Sequence, residues 1–122
     1  MKIIGIGVDI VQNERIKTLI RNKAFIKRIY TKNEIRLADH KKNKINFFSK
    51  RFAAKESLVK AIGSGFRNDI NFKDIQILNS KNGKPYYSNT KKIDKIIKKR
   101  FNIRKFHLFL SITDEKDYSV AF

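Results

Sequence analysis

The chain has no cysteine, a single proline and few acids: 11 Asp and Glu stand against 29 Lys and Arg in 122 residues. Without cysteine neither a disulfide nor a thiolate-bound zinc site can form, and nothing points to an oxidising compartment. No apolar stretch is long enough to span a bilayer. Met1-Lys2-Ile3-Ile4-Gly5 leads straight into strand-like sequence, without the charged, apolar and cleavage regions of a signal peptide. The expectation is a cytoplasmic protein with no membrane partner. No internal repeat or low-complexity linker interrupts it, so residues 1–122 are expected to form one domain with a modest core.

What is abundant is positive charge, a formal net +18. An excess of that size steers anionic partners: nucleic acid, a phosphorylated ligand or an acidic protein. Lys dominates over Arg, and Ile and Asn are frequent too, the pattern an AT-rich coding sequence produces unaided. No helix-turn-helix, zinc-finger or RNP-type motif accompanies the charge. Phe48, Phe52 and Phe101 fall on apolar stripes, where they pack in a core rather than stack on bases. A nucleic-acid partner is therefore not expected.

The first strand is expected over about Ile3 to Val11, with Ile4, Ile6, Val8 and Ile10 on one face and Gly5, Gly7 and Asp9 on the other. The glycines leave that second face bare, so another element or a ligand can approach its backbone. Asn13 is placed to cap a basic helix from Glu14 through Ile20 toward Tyr30, and Thr31-Lys32-Asn33-Glu34 reads as a capping box opening a short helix to about Asp39. The longest helix runs from Lys44 to Ile62, with Ile45, Phe48, Phe52, Val59 and Ile62 at helical spacing and a glycine stop at Gly63-Ser64-Gly65. A strand at Ile75 to Leu78, an Asn82-Gly83 turn, a return through Tyr86-Tyr87-Ser88, a basic helix from Thr90 to Phe101 and a hairpin of Phe106 to Ile112 with Tyr118 to Phe122 complete the chain. The class is α+β: a small antiparallel sheet with one long central helix and several shorter ones.

Two acids stand out because each interrupts an apolar element. Asp9 ends the first strand, and Glu56 follows Phe52 by four residues and precedes Val59 by three, on the buried side of the long helix. A carboxylate facing a core costs several kcal/mol unless compensated. Asp9 also reads as a turn residue, and Glu56 as a helix acid satisfied by Lys60 four residues on. Taken together with the basic residues Arg51, Lys55 and Lys60, the pair suits a hard cation such as magnesium, held by one or two carboxylates and the phosphates of a ligand. Gly63-Ser64-Gly65 ends a helix rather than preceding one, so by position it is a helix stop more than an anion cradle. His40 and His107 have no spaced partners, and Ser57, Ser64 and Ser111 no histidine base.

Gly5-Ile6-Gly7-Val8-Asp9-Ile10-Val11 with Arg15-Ile16, and Phe52-Ala53-Ala54-Lys55-Glu56-Ser57 through Lys60-Ala61 and Gly63-Ser64-Gly65, resemble the two long motifs of the holo-[acyl-carrier-protein] synthases, the short 4'-phosphopantetheinyl transferases. Asn82-Gly83-Lys84-Pro85 and Ser111-Ile112-Thr113 with Tyr118 match in order and spacing, so the resemblance spans essentially the whole chain.

The resemblance implies magnesium-dependent transfer of 4'-phosphopantetheine from coenzyme A to a serine of apo-acyl carrier protein, with release of adenosine 3',5'-bisphosphate, in fatty acid biosynthesis. It implies Asp9 and Glu56 as metal ligands and Glu56 and Lys60 as catalytic groups. Arg51, Lys55, Lys60, Gly63, Ser64, Gly65, Lys84 and Pro85 would lie along coenzyme A, and Arg15, Arg21, Lys27 and Arg28 would dock the acidic carrier protein. It also implies a homotrimer with coenzyme A at the subunit interfaces. Two positions depart from the family's patterns. Asp114 stands where members usually have histidine, which leaves open a carrier-binding scaffold without catalysis or a role for Asp114 beside the cation. Val11 stands where larger relatives carry a second acid, which fits the short type with two protein carboxylates plus water.

Overall fold

The computed structural model describes residues 2–66 and 69–122. In chain order the elements are β1 (Asp9–Gln12), α1 (Asn13–Leu19), α2 (Lys23–Ile29), α3 (Lys32–Ala38), α4 (Lys44–Ile62), a 3-10 turn at Phe72–Asp74, β2 (Gln76–Asn79), β3 (Pro85–Ser88), α5 (Lys91–Phe101), β4 (Ile112–Asp114) and β5 (Tyr118–Ala121). One antiparallel sheet has the order β1-β5-β4, and β2 and β3 form a separate antiparallel hairpin. The α+β architecture with a long central helix is the one expected.

That helix, α4, organises the rest. Asn43 caps it, its side chain accepting from the Asn46 amide at 3.0 Å, and Gly63 ends it with φ 80°, a conformation that costs glycine nothing. Arg100 Nε donates to the Ile62 carbonyl at 2.8 Å, placing a cation at the negative end of the helix. A single buried stripe was expected, yet α4 is buried nearly all round: Ser49, Arg51, Lys55 and Ser57 are enclosed along with Phe48 and Phe52. The reason is that α4 is covered on both sides, by the three-stranded sheet and α1 on one and by α3 and β2 on another.

The N-terminal segment corrects the reading of the first strand. Only Asp9–Gln12 pairs, with β5, and the apolar alternation points outward: Ile6 is 67% exposed and Ile10 62%. The glycine face is the inner one. A Cβ on Gly5 would overlap the Ala61 carbonyl oxygen, and one on Gly7 the Ser57 carbonyl oxygen, so the two glycines let this backbone lie against that of α4.

The basic helix breaks at Ile20–Asn22 into α1 and α2, because the Asn22 side chain accepts from the Ala24 amide at 2.8 Å and starts a new helix. Asn13 is not a cap but the first residue of α1. Its Nδ2 donates to the carbonyls of Glu115 (2.9 Å) and Lys116 (3.1 Å), and Ser119 Oγ donates to its Oδ1 at 2.8 Å, tying α1 to the β4–β5 turn. The capping box at Thr31 forms with both bonds in place. The C-terminal hairpin is shorter than expected: pairing begins at Ile112, and Phe109 is 75% exposed. Pro85 sits at the start of β3, opposite Asn79, where its missing N–H costs little.

Candidate active site

Because β1 and its leading glycines lie against α4, the Asp9 side chain comes within reach of Lys60. Lys60 Nζ donates to Asp9 Oδ1 and to the Val8 carbonyl, each at 3.0 Å. Glu56 lies one turn earlier on α4 and is half-buried. Burial lifts its carboxyl above the ordinary carboxylate range, the nearby Asp9 charge pushes it the same way, and Lys60 and Arg15 pull it back. Asp9 and Glu56 therefore share one field. The Lys60–Glu56 ion pair that the four-residue spacing allows does not form among the described residues; Lys60 reaches across to Asp9 instead. Two mutually repelling hard-oxygen donors at a half-open edge fit a divalent cation. Among the described residues no cluster of three or more His, Cys, Asp or Glu exists, so such an ion would complete its shell with water and substrate oxygens, as magnesium does.

The other basic residues of α4 divide differently. Lys55 is fully buried, and its ammonium donates to Glu34 Oε1 (2.6 Å) and to the carbonyls of Ile29 (2.8 Å) and Phe72 (3.1 Å). Burial lowers its pKa, against the pull of Glu34. All three of its donors are committed inside the protein, so the expected contact of Lys55 with coenzyme A is corrected to a structural one. Arg51 is also buried. Its guanidinium lies 3.7 Å from the Phe47 ring centre and donates to Asn79 Oδ1 at 2.8 Å; burial brings its pKa down to about 10, which leaves it charged at neutral pH.

Arg51 does line an open cleft of about 520 Å³, together with Lys50, Lys81, Gly83, Pro85 and Asp114. Lys84 is exposed next to it but is not part of the lining. Gly63, Ser64 and Gly65 lie outside it, at the stop of α4, where Ser64 Oγ donates to the Gly65 carbonyl at 2.9 Å. Asp114 accepts from Asn46 Nδ2 at 2.8 Å, with Lys50 Nζ 3.9 Å away. Lys50 and Lys60 are ten residues apart on α4, about 15 Å along its axis, so within one chain Asp114 does not join Asp9 and Glu56. A second groove, of about 370 Å³ between α1, α4 and the β4–β5 turn, holds none of the candidate residues.

Arg15, Arg21, Lys27 and Arg28 are all exposed on α1, α2 and the break between them. Arg15 is close enough to lower the Glu56 pKa, which links this basic face to the carboxylates. Sequence reasoning missed the second role of Glu34: besides its capping box, it pairs with Lys55 and accepts from the Ile77 amide at 3.1 Å. The signal was a lysine on a helix face with apolar neighbours, which requires an acid somewhere.

Residues 5–122 match the model of the 4'-phosphopantetheinyl transferase superfamily. The chain belongs to this family. Over 122 residues the transferase is 59% identical to the holo-[acyl-carrier-protein] synthase of Pelagibacter ubique, a match covering 100% of the chain and 95% of that relative. Its fold is that of the holo-[acyl-carrier-protein] synthase from Neisseria meningitidis, with TM-score 0.86, 35% identity, and 98% and 95% of the two chains covered. The Bacillus anthracis holo-(acyl-carrier-protein) synthase, solved in complex with CoA (3',5'-ADP), superposes with TM-score 0.77 at 33% identity over 97% of this chain and 91% of that one. Among the described residues of this transferase no helix is long and apolar enough to cross a membrane.

Proposed function

We propose that the chain, as one domain spanning residues 1–122, transfers 4'-phosphopantetheine from coenzyme A to a serine of apo-acyl carrier protein in the cytoplasm, in a magnesium-dependent reaction that releases adenosine 3',5'-bisphosphate. The observation that carries this reading is the Asp9–Glu56 pair with Lys60 beside it at the half-open edge where β1 meets α4. Asp9 and Glu56 would hold magnesium, which when bound supplies neutralising charge to a pyrophosphate. Glu56, or a water it orients, takes the proton of the carrier serine as the serine oxygen attacks the β-phosphorus. The bond from that phosphorus to the bridging oxygen breaks, and Lys60 stabilises the charge gathering on the departing phosphate.

The cationic cleft beside Gly83 and Pro85 suits the nucleotide end, with Arg51 and Lys50 on its wall and Lys84 at its rim. It lies toward the other end of α4 from the carboxylates, which favours a coenzyme A molecule shared between subunits. A homotrimer is further supported by the outward row of Ile3, Ile6, Val8 and Ile10, together with exposed Phe109 and Phe122, an apolar surface that a monomer would leave in water. The arginines of α1 and α2 would dock the acidic carrier. Incubation with coenzyme A, magnesium and apo-acyl carrier protein, read by mass spectrometry, tests the proposal. A gain of one phosphopantetheine arm is the expected result; tight carrier binding with no gain marks a scaffold instead.

A further inference from the structure

We infer that Lys60 is a displaceable counter-cation: it competes with the divalent cation for Asp9, and is released from that carboxylate toward the substrate phosphate when the metal binds. The inference rests on the proposed reading of Asp9 and Glu56 as the metal ligands and assigns Lys60 a role that precedes chemistry.

The geometry separates Lys60 from every other cation near the site. Its ammonium lies 3.0 Å from Asp9 Oδ1 and 3.0 Å from the Val8 carbonyl, which occupies two of its three donors. Asp9 is largely enclosed, its side chain 14% exposed, and Lys60 is its one hydrogen-bond donor among the described residues, so this ammonium supplies its direct compensation. The Lys60 side chain is itself 54% exposed, on a flexible four-carbon stem. A dication on Asp9 and an ammonium on the same carboxylate stand within a few ångströms of each other, and like charges that close repel strongly at any protein dielectric. The ammonium is the partner free to move. It is anchored one turn from Glu56 and, once released, stays within reach of a phosphate held at the metal. A phosphate waiting there gives the released ammonium a new partner, so metal and coenzyme A should each tighten the binding of the other.

The test is calorimetric titration of the full-length protein with magnesium chloride, first alone and then with coenzyme A present, for the wild type, Lys60→Met and Lys60→Arg. Lys60→Met should bind magnesium alone about tenfold more tightly than the wild type, because a neighbouring positive charge has gone, while Lys60→Arg stays close to the wild type. Coenzyme A should raise magnesium affinity more in the wild type than in Lys60→Met. Melting curves add a readout independent of turnover: Lys60→Met should melt lower without magnesium, from the unrelieved repulsion between Asp9 and Glu56, and recover on its addition. Magnesium binding that is unchanged or weaker in Lys60→Met overturns the competition and leaves the metal site intact. Absence of magnesium binding in all three proteins, with and without coenzyme A, overturns the metal reading and this inference together.

Discussion

Helix α4 carries Lys50, Lys55 and Lys60 at five-residue intervals, each within 4 Å of an acid from a distant segment, and the last two pairs have opposite characters. Lys55–Glu34 is 2.6 Å long with both side chains 0% exposed; Lys60–Asp9 is 3.0 Å long with the side chains 54% and 14% exposed. Five residues rotate the helix by about 140°, so one lysine points toward α3 and the β2 side and the other toward β1. Lys55 has every donor satisfied by protein, and its acid also holds the Thr31 and Ile77 amides. That network leaves no room for a ligand and fixes how α2, α3 and β2 meet α4. Lys60 is half exposed and has a second carboxylate, Glu56, nearby. Enclosure turns the first pair into architecture, and partial exposure leaves the second open to exchange partners.

The sharpest way to break the contrast is to remove each half separately. Lys55→Met leaves the enclosed Glu34 carboxyl without its counter-cation, and should destabilise the fold by about 3–5 kcal/mol, measured by urea unfolding. Transfer activity per folded molecule should survive wherever the variant is still folded. A loss of stability under about 1 kcal/mol would mean that the pair is not the structural one. Glu56→Gln should do the reverse: transfer falls by about 100-fold or more, with a melting temperature equal to or above the wild type's because the repulsion from Asp9 is relieved. Near-normal turnover would remove Glu56 from the mechanism. Charge reversal at Arg15 and Arg28, outside both pairs, is the next step down. It should raise the carrier protein's KM by about fivefold at low salt, flatten its salt dependence and leave stability unchanged; an unaltered KM would move the docking surface elsewhere.

The unequal legibility of the two pairs in the sequence has a physical origin. Helix α4 was readable end to end, since the apolar spacing and the Gly63 stop are local signals, and so was the Thr31 capping box. Asp9 and Glu56 were legible as candidates because each breaks an apolar pattern. The ion pairs themselves were not, because pairing across 51 residues for Lys60–Asp9 and 21 for Lys55–Glu34 depends on how elements pack. The alternating isoleucines of the N-terminal segment show the same limit. Period 2 reveals a strand with two unlike faces, but the glycine face turned inward because only it allows the backbone to touch α4.

A third pair measures what an ordinary surface contact contributes. Lys92 Nζ lies 2.8 Å from Asp74 Oδ2, as short as many buried contacts, yet the two side chains are 46% and 23% exposed, and among the described residues no second carboxylate shifts the Asp74 pKa. Partial burial would raise the Asp74 pKa, but the Lys92 ammonium and the Asn71 amide, both donating to the carboxylate, outweigh it and hold the pKa below its usual value. A carboxyl depressed in the folded state adds stability above its unfolded pKa and loses it as pH falls through the folded one. Asp74→Asn should therefore cost about 0.5 kcal/mol near neutral pH, and the difference from the wild type should shrink below about pH 4. Urea unfolding at the two pH values checks both the size and the direction. A cost near that of Lys55→Met would show that proximity alone sets the strength of these pairs, whereas the small expected value leaves enclosure as what distinguishes Lys55 from the rest.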